Sequence, residues 1–255
     1  MDSVVFEKFE GTEISDEIIK DAAKLFSSSY GVWGLLAATK MGVFAKPGQR
    51  VRMSLKILKE QCLPTSNACN TYVRVKVFDK LAGNVFATRW VYEGRNMCWI
   101  TQLCVDPQFR GQGLATKLLT NLREGEQDRG FGLLSSHPAA ILAALRAFGR
   151  GPEEVDLTMT QEHAASIMAS SPIKYVRTAR LHGSIFDDNT HDGTVSCADT
   201  QFWVDHEEPL ETLASVRANG IVWPFGELLE GHEFLIMVKA KVNMNRRTAM
   251  ISSEF

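Results

Sequence analysis

The spacing of hydrophobic and polar positions changes several times along the chain, and each change marks an element. Ile18, Ile19, Ala22, Ala23 and Phe26 recur at helical spacing behind Ser15, whose hydroxyl can cap a first turn, so a helix is expected over Ser15–Ser28. Ser27 to Gly34 is rich in small residues and glycine but holds Tyr30 and Trp33, the pattern of a loop that covers something. A second helix is expected over Ser54–Cys62. Tyr72 to Phe78 then alternates as a strand does, and Ala82-Gly83-Asn84, within Lys80–Asn84, has the composition of a hairpin turn. Val85 to Tyr92 would be the returning strand, and Glu93-Gly94-Arg95 a further turn. Met97 to Val105 is nearly all apolar, as expected of a central strand buried on both faces.

Asp106-Pro107 ends that strand. Leu114, Leu118, Leu119 and Leu122 share one face of a helix expected over Gly111–Asp128, with Gly130 as its stop. Phe131 to Ser136 is a short strand, and Pro138 opens a helix that runs to Phe148. Further on, the pattern predicts helices over Gln161–Ala169, Ile173–Leu181 and Pro209–Ala218, a polar loop over Asp187–Gly193, and strands over Thr200–His206 and His232–Lys241. Strands and helices mix without an internal repeat or a low-complexity linker. The expectation is one α/β domain over residues 1–255, with its core motif at 97–149 and an insertion at 150–199.

Composition narrows the class. The 255 residues are 45% hydrophobic and 23% charged, enough to bury a sizeable core. A net charge of -2, with no basic stripe, argues against general nucleic-acid binding. The five cysteines are odd in number and show no C-x-x-C, which argues against a disulfide framework or a zinc site. The N-terminus has no hydrophobic signal core, and the apolar stretch Ala139–Leu145 is far too short to span a bilayer. These features predict a cytoplasmic protein with reduced thiols and no membrane partner.

One segment carries chemistry. From Ile100 to Thr116 a buried strand runs into a loop with two close glycines, Gly111 and Gly113, and then into a helix. A helix N-terminus offers free N–H groups and the positive end of the dipole, and glycines let a diphosphate approach that backbone. Arg110 adds a positive charge. The third glycine of a dinucleotide fingerprint is replaced by Thr116, and no Gly-Lys-Ser/Thr precedes the helix. Gln108-x-x-Gly111-x-Gly113, after a Leu-x-Val-x-Pro strand end, resembles the acetyl-CoA motif of the GNAT N-acetyltransferase superfamily. The meander before it and the strand and helix after it stand in that family's order, so the resemblance covers Tyr72 to Gly149. It implies an α/β fold with a mixed central sheet, two splayed strands, flanking helices and, here, an enlarged C-terminal half. It also implies that the backbone of Leu103, Cys104 and Val105 pairs with the pantetheine arm. Gln108, Arg110, Gly111, Gln112, Gly113, Leu114 and Ala115 would belong to the pyrophosphate loop, and the thioester would sit near Cys104, Ser136 and His137.

The resemblance further implies attack of a neutral amine on the thioester, with a base for the ammonium and an acid for the leaving thiolate. Many members carry a tyrosine on the helix after the second splayed strand, where this chain has Ala144. Many carry Glu or His on the central strand, where this chain has Trp99 and Thr101. Substitute candidates are His137, which could equally be a cap beside Pro138, and Asp205, His206 and Glu208, which could equally form a solvated strand end before a helix. His232-Glu233 is open to the same two readings. Tyr30, Trp33, Trp99 and Trp203 could wall an acceptor pocket or simply be core. No H-e-x-x-H metal pattern and no G-x-S-x-G elbow occurs. The expectation is therefore an N-acetyltransferase, monomeric or homodimeric, moving the acetyl group of acetyl-CoA to a small primary amine in a ternary complex. The alternatives are an acyl-CoA-binding sensor or structural protein without turnover, a longer acyl donor, and a protein or peptide acceptor.

Overall fold

The computed structural model describes residues 4–65, 68–128, 130–149 and 151–239. Among these, strands β1 (Val4–Glu10), β2 (Cys69–Val77), β3 (Lys80–Tyr92), β4 (Arg95–Val105), β5 (Gly130–Ser135), β6 (Arg180–His182), β7 (Cys197–Asp199) and β8 (His232–Lys239) form one sheet in the order β1-β2-β3-β4-β5-β8-β7-β6. β4 and β5 run parallel and every other neighbouring pair is antiparallel. The helices are α1 (Asp16–Ser29), α2 (Ala37–Met41), α3 (Leu55–Cys62), α4 (Leu114–Arg123), α5 (Pro138–Phe148), α6 (Thr158–Ala169), α7 (Lys174–Thr178) and α8 (Glu207–Ala218).

Side chains alternate across a strand, so each strand feeds two layers. Val73, Val75, Phe131, Leu133, Phe234 and Ile236 face α4, α5 and α8 in one core. Their neighbours face the other way. Tyr72 and Phe86 pack under α1 and α3, and Trp90, Trp99, Leu134, Leu235 and Met237 pack under α6 and α7. The helix starts follow their sequence signals. Ser15 and Ser54 accept from the N–H groups of Ile18 and Ile57, and Pro138 occupies the first turn of α5.

Several expected boundaries are corrected. The β2–β3 hairpin turns at Phe78-Asp79, both with positive φ (49° and 60°), so Lys80–Asn84 is strand rather than turn. Gly83 is small for packing: a Cβ there would lie 3.1 Å from the Cys104 carbonyl oxygen and 3.2 Å from Leu118. The helix expected over Gly111–Asp128 is shorter, Leu114–Arg123, because Gly113 and Gly125 take left-handed φ at its two ends. Asp128 instead turns inward to accept from the Arg89 guanidinium at 2.9 Å. The helix expected over Ile173–Leu181 ends at Thr178, and Arg180–His182 joins the sheet. The strand expected over Thr200–His206 is irregular. The strand there is Cys197–Asp199, and Gln201, at φ 56°, breaks the extension. α1 runs on to Ser29, so the expected loop at Ser27 starts only at Tyr30. The edge strand Val4–Glu10 carried no clear alternation. The last strand is described to Lys239, and its expected end at Lys241 lies outside the described residues.

Gly132 faces Trp99 across the parallel β4–β5 pair, and a Cβ on it would lie 2.3 Å from the indole ring. Gly132→Ala is expected to cost about 1–3 kcal/mol of stability through overpacking, measured by chemical denaturation. An unchanged midpoint would mean that Trp99 can move aside freely.

Candidate active site

The site begins with a defect in β4. Opposite it on β3, Phe86 faces Gln102 and Ala87 faces Ile100, so Thr101 is the extra residue of a bulge. The bulge switches the facing of the strand. Cys98 and Ile100 before it, and Leu103 and Val105 after it, all pack toward the α4–α5 core. It also bends β4. Pairing with β5 runs from Met97↔Gly130 to Ile100↔Leu133 and stops, while β5 continues along β8 to Ser135↔Phe234. From Thr101 onward the β5-side edge of β4 is open, and the two strands splay in a V.

The loop beyond β4 faces the V. Asp106 accepts from the N–H of Gln108 at 2.9 Å and sets the Asp-Pro turn. Gly111 (φ 75°) and Gly113 (φ 73°) have conformations that other residues rarely adopt, and a Cβ on either would meet nothing within 4 Å. The N–H groups of residues 111–116 have no hydrogen-bond partner among the described residues, since the first bond into the loop runs from Lys117 to the Gly113 carbonyl. Unclaimed donors at a helix N-terminus before open space suit the oxyanions of a diphosphate. The Gln108 side chain is engaged elsewhere, accepting from Lys80 Nζ at 2.8 Å.

Arg110 straps the mouth of the V. Its Nε donates to the Val105 carbonyl (3.3 Å), one Nη donates to the Ser29 carbonyl (2.7 Å), and the other pairs with Glu208 at the start of α8. The same Glu208 oxygen lies 3.6 Å from His137 Nε2. His137 caps α5, its Nδ1 accepting from the N–H of Ala139, and burial lowers its pKa against the pull of Glu208. Asp205 accepts from the N–H of Glu207 and so caps α8.

Two irregular segments meet near that mouth. Trp33 bridges to Val204, Gly34 N–H donates to the Trp203 carbonyl, and Asp205 N–H donates to the Val32 carbonyl. Phe202 packs on Tyr30 and Trp33, with ring centroids 5.9 and 5.7 Å apart, and Trp203 lies against Gly231 beneath Lys40. His206, 7% exposed, has no hydrogen-bond partner on either ring nitrogen, and burial lowers its pKa.

On the α6–α7 side stands a group of side chains that sequence reasoning missed or set aside. The Tyr175 hydroxyl donates to the Thr101 carbonyl at 3.2 Å, at the bulge itself. Glu233 is 7% exposed and shares its strand face with Leu235 and Met237. Its charge reaches the phenols of both Tyr30 and Tyr175, whose pKa values burial pushes well above the ordinary value. No basic side chain among the described residues pairs with Glu233, and burial raises its carboxyl to about 7. The alternation of His232 to Val238 could have revealed that Glu233 points inward. No local signal marked Tyr175.

The sequence-predicted residues thus divide. Arg110, His137 and Glu208 come together at the mouth, and Tyr30 and Trp33 join Phe202. Trp203 and His206 lie nearby, while Asp205 serves the helix. Leu114 and Ala115 open α4, and Gln112 lies between the two glycines. Cys104 is buried against α1, its thiol pushed up to about 12. Ser136 is buried just past β5. Trp99 is fully buried against Trp90, and Ala144 lies in the α5 core. Among the described residues no His, Cys, Asp and Glu cluster could hold a metal, and no helix is long and apolar enough to cross a membrane.

Residues 68–148, from the start of β2 to the end of α5, match the family model described as "Acetyltransferase (GNAT) domain". Over these residues the chain is similar to GNAT acetyltransferase domains. No curated protein sequence matches the chain. Solved structures similar to it include an aminoglycoside acetyltransferase from an uncultured soil metagenomic sample (16% identity, 60% of this chain, 92% of that chain, TM-score 0.37). They also include the ribosomal-protein-S18-alanine N-acetyltransferase from Escherichia coli (19%, 56% and 76%, 0.35) and arylalkylamine N-acetyltransferase 2 from Aedes aegypti (15%, 56% and 81%, 0.39). The GNAT match spans the bulged strand, the glycine loop and α5. Tyr30, Tyr175, His206, Glu208 and Glu233 lie outside it.

Folding lifts the Glu233 carboxyl from 4.5 to about 7, so between those values the folded chain keeps a proton that the unfolded chain has lost. Its contribution to stability therefore falls as pH rises through that window, by about 3 kcal/mol in total. His137 and His206, with lowered pKa values, act in the opposite sense below pH 6.5. The difference between wild type and Glu233→Gln isolates the carboxylate. In thermal denaturation the variant is expected to gain on the wild type from pH 5 to pH 8. A difference that does not change with pH would contradict the burial of this carboxylate.

Proposed function

We propose that this chain transfers the acetyl group of acetyl-CoA to the primary amine of a small molecule, by direct attack within a ternary complex. The observation that carries this reading is the V opened at Ile100↔Leu133 beside a helix N-terminus with unclaimed N–H donors. The pantetheine arm lies along Leu103–Val105 in the role of a missing strand. The N–H groups of Gly111 to Ala115 hold the pyrophosphate, and the thioester reaches toward Cys104 and Ser136. Holding both reactants in one V supplies much of the rate through proximity. The meeting of residues 30–34 with residues 200–206 favours a small acceptor over a folded protein surface.

In this reading the whole chain acts as one acyltransferase domain, and the residues after 149 supply acceptor-side chemistry. His137 and Glu208 belong to the CoA side, because both stand at the strap with Arg110. His206, buried without a partner, is the member of the C-terminal group best placed to meet a bound molecule. A cytoplasmic setting keeps the thiols reduced, and a monomer or homodimer suffices.

Two outcomes check the cofactor assignment. Gly113→Asp places a carboxylate before the donors, and acetyl-CoA should no longer raise its melting temperature although the variant folds; a normal rise would remove the loop from the site. Glu208→Ala frees Arg110 from an exposed ion pair and should tighten acetyl-CoA about two- to fivefold. Weaker binding in a calorimetric titration would mean that Glu208 supports the site rather than competing for it.

A further inference from the structure

We infer that Glu233 is the proton acceptor of this site, and that the acceptor substrate is a primary monoamine on an uncharged, apolar body. The inference rests on the acetyltransferase reading above and deepens it. Three observations lead to it. The bulge exposes the β5-side edge of β4 at Thr101, and Tyr175 reaches the carbonyl there from the α6–α7 side. Glu233 emerges on that same side, on the strand that pairs with β5, and its charge reaches the phenols of Tyr175 and Tyr30. Its pairing with Ala198 and the adjacent Phe234↔Ser135 pair set it level with the end of β5, where the V is widest. Thr200 is the hydrogen-bonding neighbour of Glu233, and among the described residues no basic side chain neutralises its charge.

A bound ammonium supplies the missing counter-charge. The ammonium loses a proton to the Glu233 carboxylate, and the neutral nitrogen attacks the thioester carbonyl carbon. A C–N bond forms, the C–S bond breaks, and the thiolate takes the second amine proton. The products are the amide, free CoA and a proton held on Glu233, which passes to solvent. The groups around Glu233 come from each element packed on it. They are Tyr30 from the end of α1, Tyr175 from α7, Thr200 from the loop after β7, and Cys62 and Cys104 beside the two phenols. Burial pushes the phenols and thiols far above neutrality, so Glu233 is the group among them that changes charge near pH 7. His206 feels Asp205 and His232 instead. One carboxylate beside two phenols matches one cation on an apolar body.

The test follows CoA release from acetyl-CoA with 2-phenylethylamine and hexylamine, and with spermidine and lysine as multiply charged comparators. Calorimetric titration of acetyl-CoA accompanies it. The wild type should prefer the two apolar monoamines by about tenfold or more, a difference of one uncompensated charge contact. Glu233→Gln should lower kcat/KM for them by about 100-fold or more, keep the acetyl-CoA dissociation constant within about twofold, and lose a pH inflection near 7 that the wild type shows. Equal turnover and an unchanged pH profile in Glu233→Gln would overturn the role of Glu233. Preference for spermidine or lysine, or normal acetyl-CoA binding with no turnover of any of the four amines, would overturn the acceptor class. A folded wild type that fails to bind acetyl-CoA would instead remove the acetyltransferase reading, and this inference with it.

Discussion

The end of hydrogen bonding between β4 and β5 at Ile100↔Leu133 is the constraint on which the site depends. A parallel pair in the middle of an eight-stranded sheet would ordinarily continue, because open strand edges in a protein interior leave backbone groups without partners. Here the pairing cannot continue. The extra residue at Thr101 shifts the register of β4 against β3, while β5 stays paired with β8 through Ser135. Packing locks the arrangement from both sides. Leu103 and Val105 are drawn toward the α4–α5 core, and Gly132 gives Trp99 space one rung before the pairing ends.

The groups freed by that opening find local partners of unequal strength. The Thr101 carbonyl takes the buried Tyr175 phenol, whereas the Val105 carbonyl takes an exposed arginine at 3.3 Å. The first bond belongs to a packed layer. The second belongs to a strap of Arg110, Glu208 and His137 that a stronger anion can replace. The V therefore has two unlike sides. One has free N–H donors and the Arg110 guanidinium, which suit phosphate. The other has the buried Glu233 carboxylate, hydrogen-bonded to Thr200 and near two tyrosines, which in the proposed reading receives an ammonium. In the proposed reading, opposite charge preferences on the two sides of one cleft orient the two reactants.

The layers of the sheet were legible because strand alternation and helix spacing act locally. Tyr72 to Tyr92, Met97 to Val105 and the leucines of α4 show their faces in their order alone. The glycine loop was legible because its chemistry lies within six consecutive residues. The acceptor side was not, because it is assembled over long separations. Tyr30, Thr101, Tyr175 and Glu233 meet only through the tertiary fold. Gly83 was mistaken for a turn because close packing and tight turns both select glycine. Ala144, inside the GNAT match, holds the α5 position where the resemblance would place a tyrosine, whereas Tyr30 and Tyr175 lie outside the match.

The most direct test of the account is isothermal titration of acetyl-CoA into the full chain, with adenosine diphosphate as the control. Both ligands can use the N–H donors of the glycine loop, but only acetyl-CoA can place a pantetheine arm along the open edge of β4. The account predicts one site that prefers acetyl-CoA by about tenfold or more, equal to about 1.4 kcal/mol or more from the added arm. Equal affinity for the two ligands, or no binding heat from a folded sample, would contradict it, because the V would then be a packing feature and not a cofactor groove.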